Sequence, residues 1–309
     1  MDNELETRII EKIEEPLINE DINESINETK IKHLVISGGG VVGFSFYGLL
    51  RETHKEGIWN INDIQSIYGT SVGSILGVFM ALKYDWDTMD DYLIKRPWQN
   101  VYKFSMDSLF LAFQTKGILD KKIIDDTFSP LFKGKDIDIN VTLKEFYEIT
   151  NIELHLFSID VNTFNLIDFS HKTHPDWLVT DAVYCSCSLP ILFQPMIKDN
   201  ICYCDGGFIA NYPVKQCIEN GANPDEIFGM CRSSIFSESN NITENSTLID
   251  YILNLLYKTI DKVLNIKKDF NIKKEVFIKC PPLSIYDIYE TASSMEKRLE
   301  LISNGYYKE

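Results

Sequence analysis

An α/β fold around a parallel sheet is predicted for this chain by three observations. A β-branched run, a tight glycine turn and a helical pattern follow one another at 33–55, and the same order returns at 64–83. That order is the mark of parallel strands joined by crossover helices. Further apolar strand candidates recur as far as residue 280, and 309 residues with 44% hydrophobic and 25% charged side chains are enough to bury a sizeable core.

The elements follow in order. Residues 1–30 are acidic and repeat Ile18-Asn-Glu-Asp, Ile22-Asn-Glu-Ser and Ile26-Asn-Glu-Thr. Isoleucine at every fourth position would line one helix face, but the composition reads as a low-complexity arm. His33–Ser37 reads as a buried strand, followed by a helix from about Val42 to Lys55 that Gly57 closes. Ile64–Tyr68 reads as a second strand and Val72–Lys83 as its helix. Residues 85–132 are helical in pattern, with breaks at Pro97 and Gly117, and Thr142 with Glu145 forms a capping box. Leu154–Val161 and Phe164–Phe169 read as paired strands, Pro175–Cys187 as a helix, and Ile201–Cys204 as a strand running into Asp205. Glu226–Cys231 and Val276–Cys280 are strand candidates, and Leu248–Ile266 is a strongly apolar helix. With no clear linker after residue 30, residues 31–285 read as one domain and 286–309 as a helical tail.

Charge removes whole classes of function. A formal net charge of −16 argues against nucleic acid, which needs clustered Lys and Arg. It argues equally against electrostatic docking on anionic lipid, though not against an apolar approach to a membrane. The uncharged stretch 64–82 has the length of a membrane span, but serines, threonine and three glycines interrupt it, so no transmembrane helix is expected. Seven cysteines and the lack of a signal segment at the start point to a reducing, cytosolic home with peripheral access to membranes. The sequons at Asn23, Asn27, Asn241 and Asn245 then read as chance matches in an Asn-rich chain.

Gly69-Thr70-Ser71-Val72-Gly73 has the G-x-S-x-G pattern, which roughly one chain in ten of this length would show by chance. Its place between a strand and a helix is what gives it weight, because a nucleophile elbow must sit there. The bland alternative is a tight turn with an N-capping serine. A serine nucleophile needs a base. Of the five histidines, His33, His54, His155, His171 and His174, none follows Asp205, where the usual hydrolase order would put one. His171 and His174 fall in what reads as a polar turn. Asp205, ending a strand before Gly206 and Gly207, is the alternative base, although Asp-Gly-Gly alone is most often only a turn.

The loop Gly38-Gly39-Gly40-Val41-Val42-Gly43 brings bare N–H groups to an anion, either an oxyanion or a pyrophosphate. Gly38, Gly40 and Gly43 satisfy G-x-G-x-x-G, but a dinucleotide site expects an acid at the far end of the second strand. Asp63 precedes that strand, which favours the oxyanion. Cys185 with Cys187 and Cys202 with Cys204 invite a zinc reading. Their C-x-C spacing is the rarer one, and small buried thiols explain them better, so no metal and no cofactor is expected.

Together these pieces resemble the patatin-like phospholipases, from His33 to about Pro213. The glycine loop is similar to that family's oxyanion loop, Gly69–Gly73 to its nucleophile elbow, Ser188–Pro195 to the block before its acid, and "DGGFIANYP" at 205–213 to its D-G-G-x-x-x-N-x-P. The resemblance implies a three-layer α/β/α sandwich around a mostly parallel sheet. It implies Ser71 as nucleophile, Asp205 as proton acceptor and an oxyanion hole in Gly38–Gly43, centred on Gly39 and Gly40. It implies a lipid ester substrate met at a membrane or micelle surface. One departure stands out: many members carry Arg or Lys where this chain has Val42. A dinucleotide-binding protein and a non-catalytic lipid-binding member of the same fold are the alternatives.

Overall fold

The computed structural model describes residues 29–103, 106–234, 241–266 and 270–306, so the arm expected at 1–30 lies outside the described residues except for its last two. Ten strands are present among them: β1 (His33–Ile36), β2 (Ser66–Thr70), β3 (Gly117–Leu119), β4 (Glu153–Asp160), β5 (Asn165–Phe169), β6 (Ile191–Phe193), β7 (Ile197–Lys198), β8 (Ile201–Asp205), β9 (Ile227–Ser234) and β10 (Lys274–Cys280). β10, β9, β1, β2 and β4 run parallel, in that order across the sheet. β5 and β8 pair with β4 antiparallel, and β7 pairs with β8. β3 and β6 form a separate two-stranded sheet.

The central strands β1, β2 and β4 are buried at nearly every position because both faces are covered. Leu34, Ile36, Ile67 and Leu156 join the larger core. Val35, Tyr68 and Phe157 point the other way, into a smaller layer with Cys217 and Ile218 of the short Val214–Glu219 helix. This is the expected three-layer α/β/α sandwich, with one thick outer layer and one thin. α1 (Gly43–Lys55) and α2 (Val72–Ala81) follow β1 and β2 as the sequence predicts.

β4 carries the feature that positions the site. Its residues 153–157 pair with β2 and 158–160 with β8. β5 overlaps both stretches, so it must occupy the opposite edge, leaving β2 and β8 to share one. Thr70 is therefore opposite Phe157, and Asp205 is opposite the next residue, Ser158. Two strands far apart in sequence point their C-terminal ends at each other along a common ruler.

Several boundaries differ from expectation. β2 begins two residues late, because buried Ile64 donates its N–H to Ile61 in a turn. The helix expected from Pro175 starts at Val179, since Leu178 bridges Thr142 and the Pro175 carbonyl accepts from Lys144. The helical reading of 85–132 is interrupted by β3, where a Cβ on Gly117 would lie 2.2 Å from the Phe193 backbone. In our proposed division of the chain, the tail's helices, Ile285–Ser293 and Met295–Ser303, do not stand apart. Gly48 of α1 meets the Ile302 backbone so closely that a Cβ would sit 2.1 Å from its carbonyl oxygen.

Candidate active site

Ser71 sits between β2 and α2 at φ 55° and ψ −124°, a region non-glycine residues rarely occupy. The flanking glycines make that turn possible. A Cβ on Gly69 would lie 2.4 Å from the Gly73 carbonyl oxygen, and one on Gly73 would lie 2.2 Å from that of Ile36. The Ser71 N–H donates to Ser186 Oγ at 3.0 Å, and its carbonyl accepts from the Ser74 hydroxyl at 2.6 Å. Ser186 is fully buried on the Val179–Cys187 helix, and no local signal in the sequence marks it as a partner of the elbow.

Asp205 ends β8 and is 3% exposed. Its carboxylate accepts the Gly207 N–H at 2.7 Å, and the Ser71 side chain lies close enough to lower its pKa. No cationic side chain pairs with it among the described residues. Burial outweighs both neighbours and pushes its pKa up to about 6. Gly206 must be glycine because a Cβ would lie 2.4 Å from the Phe157 carbonyl oxygen.

The glycine loop folds over this pair. Gly38 and Gly43 are close-approach positions: a Cβ on the first would lie 3.1 Å from Ser71 Cβ, and one on the second 2.3 Å from Val72. Their N–H groups are used, Gly38 donating to Asn211 at 2.9 Å and Gly43 to Gly40 and Val41. Gly40 holds φ 60° against Leu283. No hydrogen bond among the described residues uses the N–H of Gly39 or Gly40. Asn211 joins the loop to the acid segment, since its amide Nδ2 also donates to the Gly38 carbonyl at 3.4 Å.

A cavity of about 160 Å³ opens at Ser71 and runs into the thick layer, lined by Phe44, Ile75, Phe79, Leu189, Tyr257 and Leu283 among others. The histidines lie elsewhere. His155 is buried near the start of β4, against Glu153 and Asp168. His171 and His174 are half-buried rather than exposed, stacked on Tyr147 and packed on Phe169 and Trp177. His33 bonds Ser66, and His54 packs between Trp59 and Trp86. All seven cysteines are free; five are buried, including Cys185, Cys187 and Cys204, and burial raises these three thiols. Among the described residues no group of three His, Cys, Asp or Glu is placed to hold a metal ion, and no helix is long and apolar enough to cross a membrane.

The chain is similar to proteins of known kind. It is 28% identical over 189 residues to an uncharacterised protein of Acanthamoeba polyphaga mimivirus, covering 61% of this chain and 62% of that one. It is 26% identical over 197 residues to a protein of Invertebrate iridescent virus 6 named "Probable lipid hydrolase", covering 63% and 66%. The chain thus spans less than two thirds of these curated relatives. Among solved structures, VipD from Legionella pneumophila shares the fold with a TM-score of 0.53 at 17% identity, covering 90% of this chain and 65% of that one. The family model for patatin-like phospholipases matches residues 34–218, the span holding the glycine loop, Ser71 and Asp205. With more than half its length matched, the chain belongs to the patatin-like phospholipase family.

Proposed function

We propose that this protein is a serine lipid acyl hydrolase, a phospholipase A-type esterase working through Ser71 and Asp205. Asp205 takes the proton of the Ser71 hydroxyl, whose oxygen attacks the ester carbonyl carbon. The N–H groups of Gly39 and Gly40 receive the developing oxyanion, a contribution worth about 10²–10³ in rate per donor. Collapse breaks the bond to the leaving oxygen, which takes its proton from Asp205 and departs as the alcohol. Water then gives a proton to Asp205 and adds to the acyl carbon, and the proton returns to Ser71 as the fatty acid leaves.

The observation that carries this reading is the meeting of the Ser71 side chain with a buried carboxylate of raised pKa, beside two N–H groups with no internal acceptor. A carboxylate near 6 is a stronger base than an ordinary one, yet still ionised at neutral pH. The apolar cavity supports a lipid acyl chain as the group transferred. Its volume matches that of an engineered cavity of roughly 150 Å³ that holds benzene, so it has room for about six carbons. A neutral or zwitterionic lipid surface is the partner we propose, and a cytosolic protein peripheral to membranes the setting. Among the described residues, 8 of the 16 exposed large apolar side chains lie on the helices at 106–115, 248–266 and 285–293. The last two help to line the cavity through Tyr257 and Ile288, and Leu119 lines it just beyond the first.

The dinucleotide alternative is not favoured, because Asp63 lies in the turn before β2 rather than at the far end of that strand, where a ribose-binding acid is expected. A fluorophosphonate probe separates the enzyme from a non-catalytic relative. Labelling of the wild type and its loss in Ser71→Ala are expected; an unlabelled wild type ends the enzyme reading. On p-nitrophenyl esters, kcat/KM is expected to rise about fourfold per added methylene, from roughly 0.8 kcal/mol each, until the cavity is full.

A further inference from the structure

The glycine loop Gly38–Gly43 carries no cation of its own, but a buried guanidinium lies behind it. Arg232, near the end of β9, is 3% exposed, and its Cδ would lie 3.3 Å from a Cβ built on Gly39. Its N–H donates to Ser37 Oγ at 3.0 Å, and that hydroxyl donates to the Gly38 carbonyl at 3.1 Å. Its guanidinium bonds Asp261 and sits 4.6 Å over the ring of Tyr257, both on the Leu248–Ile266 helix. The Arg232 side chain therefore backs the first free N–H of the loop and ties it to a wall of the cavity, while its main-chain N–H, through Ser37, steadies the carbonyl before it.

Stability alone does not account for this pair. Burying two charges is costly, and an apolar pair of similar volume is often as stable or more so. Here the second oxygen of Asp261 is buried without a hydrogen-bond partner, so the pair is not fully satisfied.

We propose that Arg232, held by Asp261, is a positioning residue for the oxyanion: it fixes the loop from β9 so that the Gly39 and Gly40 N–H groups keep facing Ser71. The inference rests on the proposed ester hydrolysis, so it is tested in two ways, one of which needs no activity.

The full chain is compared with Arg232→Met, Arg232→Lys and the double variant Arg232→Met/Asp261→Met, using hydrolysis of p-nitrophenyl butyrate. The single Met variant leaves Asp261 buried alone and can unfold; the double variant removes both charges and guards against that. The double variant is expected to melt within about 3 °C of wild type. Its kcat is expected to fall about 10²-fold, the scale of one lost oxyanion donor, with KM nearly unchanged. Arg232→Lys is expected to recover part of kcat. A folded double variant with wild-type kcat overturns the proposal. So does a loss carried by KM alone.

Independently, hydrogen exchange of the 36–44 segment is measured in Ser71→Ala protein with and without the double substitution. Exchange about tenfold faster without Arg232 is expected, and unchanged exchange overturns the proposal whatever the substrate proves to be. If the wild type hydrolyses no ester and the loop still loosens, the positioning role holds and the hydrolase reading is what fails.

Discussion

Glu153 at the start of β4 and Asp205 opposite Ser158 near its other end are both withdrawn from water, and their surroundings treat them in opposite ways. At the start, Glu153 is half-desolvated, which alone would raise its pKa, but hydrogen bonds from His155 and Lys172 bring it down to about 2. His155 is shared with Asp168 at 2.7 Å and lies flat on Tyr68, 4.1 Å between ring centroids. Opposite Ser158, near the other end, Asp205 has only a hydroxyl and a backbone N–H, and it rises to about 6. One end uses cations to make its carboxylates inert. Asp205 has no cationic partner among the described residues and is deeply buried, which leaves a base. The same contrast explains why five histidines contribute none to the serine: His155, His171 and His174 gather where β4 starts and β5 ends, in a structural network.

The largest expected effect comes from removing the unpaired carboxylate. Asp205→Asn keeps an acceptor for the Gly207 N–H but loses the base, and esterase turnover is expected to drop by at least about 10³-fold. Retained turnover would move the base elsewhere. The same substitution is expected to stabilise the fold. The folded-state pKa lies above the ordinary 3.8, so the native protein binds this proton more tightly than the unfolded chain does. Stability from this group is present below pH 3.8 and lost as pH rises through about 6, a penalty of about 3 kcal/mol that Asn avoids. Denaturant melts at pH 8 and pH 4 check the sign: a gain for Asp205→Asn at the first and none at the second. Glu153 runs the other way, its contribution present above pH 4.5 and lost as pH falls toward about 2.

Next in size is the end that holds Glu153, His155 and Asp168. His155→Gln strands Asp168 and removes one of two cations from Glu153, and such a buried break costs about 3 kcal/mol. Chemical melts are expected to show that loss, while kcat per folded molecule stays at the wild-type level. A fall in kcat at full folding would tie the network to the reaction and dissolve the contrast between the two ends.

What the sequence made legible, and what it hid, follows the same division. The tight turns at Gly69–Gly73 and Gly206 are readable because local geometry demands glycine there: Gly73 has no room for a Cβ, and Gly206 has none either. The capping box at Thr142 and the buried run of β1 are readable for the same reason. The direction of β8 is not. A strand buried on both faces reads alike in either orientation, yet only an antiparallel β8 on the β2 edge of β4 brings Asp205 to Ser71. Ser186 and Arg232 leave no local pattern in sequence, because Ser186 Oγ accepts the Ser71 N–H across 115 residues of chain and the main-chain N–H of Arg232 donates to Ser37 Oγ across 195. The predicted strand even stopped at Cys231, one residue short of that arginine.

The smallest effect tests whether the reactive end stores strain as well as charge. Ser71 at φ 55° and ψ −124° occupies a conformation that costs a residue with a Cβ about 1–3 kcal/mol and costs glycine little. Ser71→Ala and Ser71→Gly both remove the hydroxyl, so both lose its interaction with Asp205 and both should be equally inactive. They differ in the Cβ. Removing it also vacates the space where Gly38 approaches, a loss of packing that works against the gain. Ser71→Gly is therefore expected to exceed Ser71→Ala by about 1 kcal/mol in denaturant melts, the lower part of the strain range. Equal stabilities would mean that the elbow is relaxed, and that the two ends of β4 differ in charge alone.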